Sequence, residues 1–272
     1  MTRQPIVSRE KWVEARQALL AEEKESTRRR DALARRRREM PWVKVDQDYV
    51  FDTPRGKAAL AELFGGRSQL LVYHFMFGPD WAEGCPSCSF VSDHLDAALP
   101  HLAARDVSLV MVSRAPLPKI EAFKARMGWR LPWVSSHANS FNHDFHVSFT
   151  PEERAGGGVY YNYRMEPFPS EEAPGASAFY KDPKTGEVFH TYSTFGRGLD
   201  AMVGTYVLLD LVPKGRDEDD LPFPMAWVRH HDRYGANGAA AFADADKPYW
   251  PKTEAAEVAT APHSCCASGA RQ

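Results

Sequence analysis

The chain has 272 residues, 43% of them hydrophobic and 26% charged, and its 34 basic side chains nearly balance 36 acidic ones for a formal charge of -2. A protein of this size and composition buries a substantial core. A mean hydropathy of -0.47 and the lack of any apolar run near the roughly 20 residues of a membrane helix exclude an integral helical membrane protein. The near-neutral balance gives no basis for nucleic acid or an anionic membrane as partner.

Residues Met1 to Leu20 carry Arg3, Arg9, Glu10, Lys11, Glu14 and Arg16 and have no continuous apolar core of the secretory-signal type, so a cytoplasmic location is expected. Ser8 to Glu39 has helix-favouring composition with a narrow stripe of Trp12, Ala15, Leu19 and Leu20, and Pro41 supplies the stop. Residues 1–40 therefore read as a helical arm. Its basic end, Arg28 to Arg30 and Arg35 to Arg38, is read first as a solvated helix face and second as a docking surface, including one between copies of this chain.

From Trp42 the texture changes to short β-rich runs alternating with helical periodicity, which predicts an α/β domain over residues 41–215. Trp42 to Phe51 reads as strand or hairpin and Lys57 to Phe64 as a short helix. Leu70 to Phe77 is apolar on both faces and fits the centre of a sheet. Phe90, Val91, His94, Leu95, Ala98 and Leu99 recur at helical spacing, Val107 to Val112 is a second buried strand, and Ile120, Phe123 and Met127 mark the next helix. Periodicity fails between Ser135 and Pro174, where an insertion at about 136–174 carries Tyr160, Tyr161 and Tyr163. Ala176 to Lys181 and Glu187 to Tyr192 then read as antiparallel strands joined through Asp182, Pro183 and Gly186, and Leu199 to Leu209 as a closing helix. Residues 216–272 are expected to form an extension that ends in a partly disordered tail.

The residues that carry chemistry are Cys85-Pro86-Ser87-Cys88, placed after a buried strand and at the head of a helix. A thiol at a helix N-terminus meets unpaired backbone N–H groups and the positive end of the helix dipole, which lower its pKa. Pro86 suits the first helical position, where its missing N–H has no partner to lose. Cys88, one turn on, is within disulfide reach and expected to be the more covered, which makes Cys85 the attacking thiol and Cys88 the resolving one. The competing readings are inert core packing and a structural zinc site. Zinc lacks a second ligand pair, since Cys265 and Cys266 are adjacent to each other in a distant tail, and no metal or other cofactor is expected.

With these elements in view, Met40-Pro41-Trp42, Tyr73-His74-Phe75-Met76-Phe77, Gly84 to Cys88, Val112 to Pro116 and His190 to Ser193 closely resemble the bacterial thioredoxin-like family labelled domain of unknown function 899. Its members are described as predicted dithiol-disulfide oxidoreductases. The resemblance runs from about Val7 to Tyr234. It implies a thioredoxin-like fold, a central mixed sheet flanked by helices, and a thiol–disulfide oxidoreductase acting on a protein or small-molecule disulfide with an electron donor it does not identify. It also implies a cis-proline opposite the dithiol, for which Pro174 is similar in position, with Trp81 and Pro86 beside the substrate.

The sequence departs from thioredoxin in two respects. No tryptophan immediately precedes the first cysteine, and the acid of the preceding strand is replaced by Tyr73 or His74, which leaves the proton acceptor for Cys88 unassigned, with Tyr73 and Glu83 as candidates beside the simpler readings of a packed strand tyrosine and a charged loop residue. The segment Phe77 to Cys85 also resembles the approach to the reactive cysteine of peroxiredoxins, which makes a thiol peroxidase the rival enzyme, with Arg114 as an accessory group. A thioredoxin-like binding module with idle cysteines is the third reading. A protein-disulfide reductant needs a flat groove beside Pro174, whereas a peroxidase needs hydrogen-bond donors beside Cys85. His143, Asp144 and His146, and the run His230-His231-Asp232, lack closed metal-site spacing and read as packing and hydrogen-bonding groups. Cys265 and Cys266 are expected either to be incidental or to shuttle electrons to the main pair.

Overall fold

The computed structural model describes residues 4–234, whose backbone divides into two compact units, one up to Trp42 and one from Val43. The first contains helix α1 (Arg9–Arg38), which starts where the Ser8 hydroxyl accepts the Lys11 N–H. Its charges are paired along the helix, with Arg28 and Arg29 both on Glu25 at one-turn spacing.

The second unit runs in order through β1 (Val43–Lys44), β2 (Val50–Thr53), β3 (Gly56–Ala59), β4 (Gln69–His74), α2 (Pro86–Asp96), α3 (Leu99–Ala103), β5 (Val107–Ser113), α4 (Leu117–Arg126) and β6 (Trp133–Ser135). It continues through α5 (Phe141–Asp144), α6 (Pro151–Ala155), β7 (Val159–Tyr161), β8 (Arg164–Glu166), β9 (Gly175–Lys181), β10 (Val188–Phe195) and α7 (Gly204–Leu209). Eight strands form one sheet in the order β1-β10-β9-β4-β5-β6-β2-β3. β4, β5 and β6 are parallel, while β9 runs antiparallel to β4 and β10 antiparallel to β9. The inner order β10-β9-β4-β5, with α2 leaving the end of β4, is the thioredoxin-like arrangement.

Two local expectations are corrected. Lys57 to Phe64 is not a helix: Thr53-Pro54-Arg55-Gly56 turns the chain back, with Gly56 at φ +107°, so that β3 pairs with β2 and only Leu60–Glu62 makes a 3-10 turn. The closing helix is broken, because Gly196–Met202 is 3-10 and α7 starts only after Val203, where His94 Nε2 accepts the Thr205 N–H at 3.0 Å. The insertion is less irregular than its sequence. It holds α5, α6 and the β7–β8 hairpin around a small core of Val147, Phe149, Val159, Tyr161, Ala173 and Phe195.

The alternation of β4 decides which residues see the cysteines. Tyr73 belongs with Cys85 and Cys88 in the cluster under α2, whereas Leu70 and Val72 pack into the cluster on the other face. His74, next to Tyr73, shares that opposite face, where its ring stacks on Phe141 and Phe145. Its Nε2 is 2.8 Å from the Ser177 hydroxyl, which is 2.8 Å from the Ser193 hydroxyl, which is 2.7 Å from His190 Nε2. A bulge between His190 and Tyr192 puts His190 and Ser193 on one face despite their odd spacing.

Burial pushes His74 from 6.5 down to about 3, with the His190 charge adding to the effect. The unfolded chain therefore takes up a proton on His74 that the folded chain refuses, and stability falls as pH drops from about 6.5 toward 3. Urea denaturation at about pH 7.5 and about pH 5 should show a smaller stability difference in His74→Phe than in the parent. An unchanged difference would remove His74 as a source of acid sensitivity.

Candidate active site

Backbone bonds position the dithiol. Past the end of β4, the Phe75 N–H donates to the Val112 carbonyl at 3.0 Å, and the Cys85 N–H donates to the Met76 carbonyl at 3.1 Å. The Met76 N–H in turn reaches Cys88 Sγ at 3.5 Å. Cys85 is the N-cap of α2 with extended backbone, φ -59° and ψ 131°, and Pro86 occupies the first helical turn. The Ser89 N–H and hydroxyl both donate to the Cys85 carbonyl at 3.0 Å. Gly84 is required for the close approach before the helix, since a Cβ there would stand 2.5 Å from the Phe75 ring and 2.9 Å from Phe123.

Both cysteines are free thiols, with exposures of 0% for Cys85 and 1% for Cys88. The expected difference in cover is thus absent. Cys88, not Cys85, lines a cavity of about 610 Å³, together with Tyr73, Met76, Ser87 and Pro174. Cys85 is sealed because Gly84 is drawn onto the aromatic core and the C-terminal stretch is fastened to it. His230 Nε2 lies 2.8 Å from the Gly84 carbonyl, its only acceptor there, so this nitrogen carries the proton and Nδ1 accepts from Arg126 at 3.1 Å.

The Cys88 thiol is pushed well above its ordinary pKa, chiefly by burial and then by its hydrogen bond to and charge interaction with Cys85. The Tyr73 hydroxyl and the Met76 N–H act in the opposite direction, stabilising the thiolate. Of the two candidate replacements for the missing strand acid, Tyr73 is the one on the dithiol's side.

The other sequence-derived candidates separate. Pro174 shares the cavity with Cys88, but its peptide is trans, as are all described peptide bonds. The chain ahead of it is held extended by the Ala173 N–H on the Val147 carbonyl and by the Ser148–Glu172 bridge, and it runs straight into β9. Trp81 packs in the same apolar cluster as the cysteines, with its indole N–H donating to Glu171 at 2.8 Å, but it does not line the cavity. Glu83 is engaged by Arg126 at 2.7 Å and Arg233 at 2.6 Å, which lower its pKa and remove it as a proton acceptor for Cys88. Arg114 pairs with the buried Glu172 at 3.0 Å. Asp144 is tied to Tyr49 and Ser140, and His146 packs on Tyr160. Among the described residues no three His, Cys, Asp or Glu side chains are grouped to hold a metal. Cys265 and Cys266 lie outside the described residues.

Sequence reasoning missed Arg216 and Glu218, which stand on the cavity wall. They fall in a charged, proline-containing stretch that reads as an extension. Residues 216–234 are in fact packed into this unit, with Phe223, Met225, Val228 and His230 all buried.

Compared with known proteins, the chain matches the family described as bacterial protein of unknown function (DUF899) over residues 1–234. It belongs to that family. No curated protein matches it. Among solved structures it is similar to peroxiredoxin Q of Xanthomonas campestris, at 13% identity, 61% of this chain and 95% of that one, with a TM-score of 0.40. It is likewise similar to the peroxidoxin BcpB of Mycobacterium tuberculosis, at 16% identity, 61% and 92% coverage, and a TM-score of 0.39. A third is the PrxQ of Xylella fastidiosa, at 9% identity, 61% and 94% coverage, and 0.38.

In this DUF899 chain the tyrosine contact has a direct readout. Tyr73→Phe removes a hydrogen bond that favours the Cys88 thiolate, so the Cys88 pKa should rise further. Thiolate absorbance against pH, in a background of Cys85→Ser, Cys265→Ser and Cys266→Ser, checks this. An unchanged or lower pKa would show that the hydroxyl does not act on the thiol.

Proposed function

We propose that the chain is a thiol–disulfide oxidoreductase whose Cys85 and Cys88 cycle between dithiol and disulfide. One observation carries the reading: two free thiols in hydrogen-bonding contact at the head of α2, one of them on the wall of a cavity. The roles divide by position. Cys88 holds its proton because burial and its neighbour raise its pKa, and Cys85, the N-cap of α2, is assigned the attack.

In this scheme the Cys85 thiolate attacks one sulfur of a substrate disulfide, forming a mixed disulfide and releasing the other sulfur as a thiolate, which takes up a proton. Cys88 then gives up its proton and attacks Cys85 Sγ. The second substrate thiol leaves, and the Cys85–Cys88 disulfide holds the two-electron oxidation until a dithiol donor reduces it. Tyr73, beside Cys88, favours the thiolate that this second step needs.

A thiol peroxidase is the second reading, and the enclosure of both sulfurs favours it because a peroxide is small. There Cys85 would attack the O–O bond to give a sulfenic acid and release water or an alcohol, and Cys88 would condense with the sulfenic acid to give the disulfide and water.

Equilibration against a thiol redox buffer, with peptide mapping, should reveal a Cys85–Cys88 disulfide; its absence at every poise would end both enzyme readings. With a disulfide substrate, Cys88→Ser should accumulate a mixed disulfide at Cys85, and Cys85→Ser should trap none. Equal trapping by the two variants would reject the division of roles. Faster oxidation of the pair by hydrogen peroxide than by any disulfide would select the peroxidase.

A further inference from the structure

The far wall of the Cys88 cavity is the chain that follows α7. Arg216 lies over the Tyr206 ring, 3.9 Å from its centroid, and bonds Asp210 at 2.9 Å and Asp200 at 3.2 Å. Two residues on, Glu218 accepts from the Tyr206 hydroxyl at 2.7 Å, the Trp227 indole N–H at 2.6 Å and the Met225 N–H at 3.1 Å. These bonds pin residues 214–225 as a roof over the cysteine end of α2. A protein disulfide has to be laid in an open groove for its sulfur to reach a buried thiol, whereas Cys88 is buried on the wall of a cavity that Arg216, Glu218 and Met225 also line. The space beneath, about 610 Å³, falls within the roughly 300–1,000 Å³ of small-molecule sites.

Charge narrows the class further. Five carboxylates and three cationic side chains line the cavity. Asp200 and Asp210 are compensated by Arg197 and Arg216. Glu218 is held by three uncharged donors and brings no counter-charge with it, and Asp217 and Asp219 flank it on the exposed rim, with Lys214 as the remaining cation. An acid-rich mouth with apolar walls concentrates cations and repels anions.

We infer that the substrate of the dithiol is a small disulfide carrying protonated amines, not a folded protein and not an anionic disulfide. The inference rests on the oxidoreductase reading above and assigns the substrate class of the same site. The sulfur exchange is the one already written, with the amine drawn to the Asp217–Asp219 rim while the disulfide enters beside Cys88, which is in hydrogen-bonding contact with Cys85.

The test uses the reduced full chain. Its oxidation by cystamine, by the dianionic dithiodipropionate and by insulin is followed by peptide mapping of the Cys85–Cys88 disulfide. In parallel, the two cysteines are labelled with cationic and anionic methanethiosulfonates and with a polyethylene-glycol maleimide, which reports access whether or not the pair is redox-active. Cystamine and the cationic label should react at least about tenfold faster than their anionic counterparts, and insulin and the bulky maleimide slowest of all. Asp217→Asn/Asp219→Asn, on exposed positions, should bring the cation-to-anion ratio several-fold closer to unity. Equal rates for the two charges, or insulin reacting as fast as cystamine, overturns the inference and leaves the oxidoreductase reading standing. Charge-selective labelling without any Cys85–Cys88 disulfide overturns that reading and the substrate assignment with it.

Discussion

The site depends on a pair of reciprocal bonds at Met76. Its carbonyl accepts the Cys85 N–H and its N–H points at Cys88 Sγ, so a single residue, two beyond the end of β4, holds both members of the dithiol. The backbone groups at the end of a strand and at the start of a helix are the ones left over by regular pairing. Here each satisfies the other. Gly84 makes the approach sterically feasible, because any side chain there would collide with Phe75 and Phe123. The direction of α2, the cover over Cys85 and the opening beside Cys88 all follow from that junction.

Burial then sets the chemistry. Removing a thiol from water disfavours its charged form, and the neighbouring Cys85 adds to the effect, so Cys88 is held protonated. The Tyr73 hydroxyl and the Met76 N–H oppose this, and both come from β4 or its immediate continuation. The groups that favour the Cys88 thiolate are thus neutral hydrogen-bond donors. Glu83, the acid nearest in sequence, is taken up by two arginines that tie the loop before Cys85 to α4 and to the C-terminal stretch.

That stretch acts in two places. His230, in a single tautomer, fastens it to Gly84 immediately before the first cysteine, and Arg216 and Glu218 fasten its earlier part to the segment around α7. Ion pairs and hydrogen bonds thus join apolar packing in enclosing the dithiol. Arg216 is shared between Asp200 and Asp210, so these contacts are coupled.

Much of this protein was legible in the order of its residues. Apolar continuity located β4 and β5, helical spacing located α2, and Cys85-Pro86-Ser87-Cys88 between them marked the chemistry, because the dithiol, the proline at the first turn and the strand before them are all local in sequence. The thioredoxin-like order of strands followed from the same succession of elements. What the sequence did not determine was every contact joining distant segments. Which face of β4 Tyr73 shares with Cys88, the trans peptide at Pro174 and the diversion of Arg114 to Glu172 are set by pairing between strands far apart in the chain. The roof over Cys88 is the clearest case: Asp217 to Asp219 carry no apolar period and read as solvated. They become a wall only because Arg216 and Glu218 find Asp210 and Tyr206 once α7 has packed, an electrostatic match that exists in three dimensions and leaves no periodic mark in the sequence.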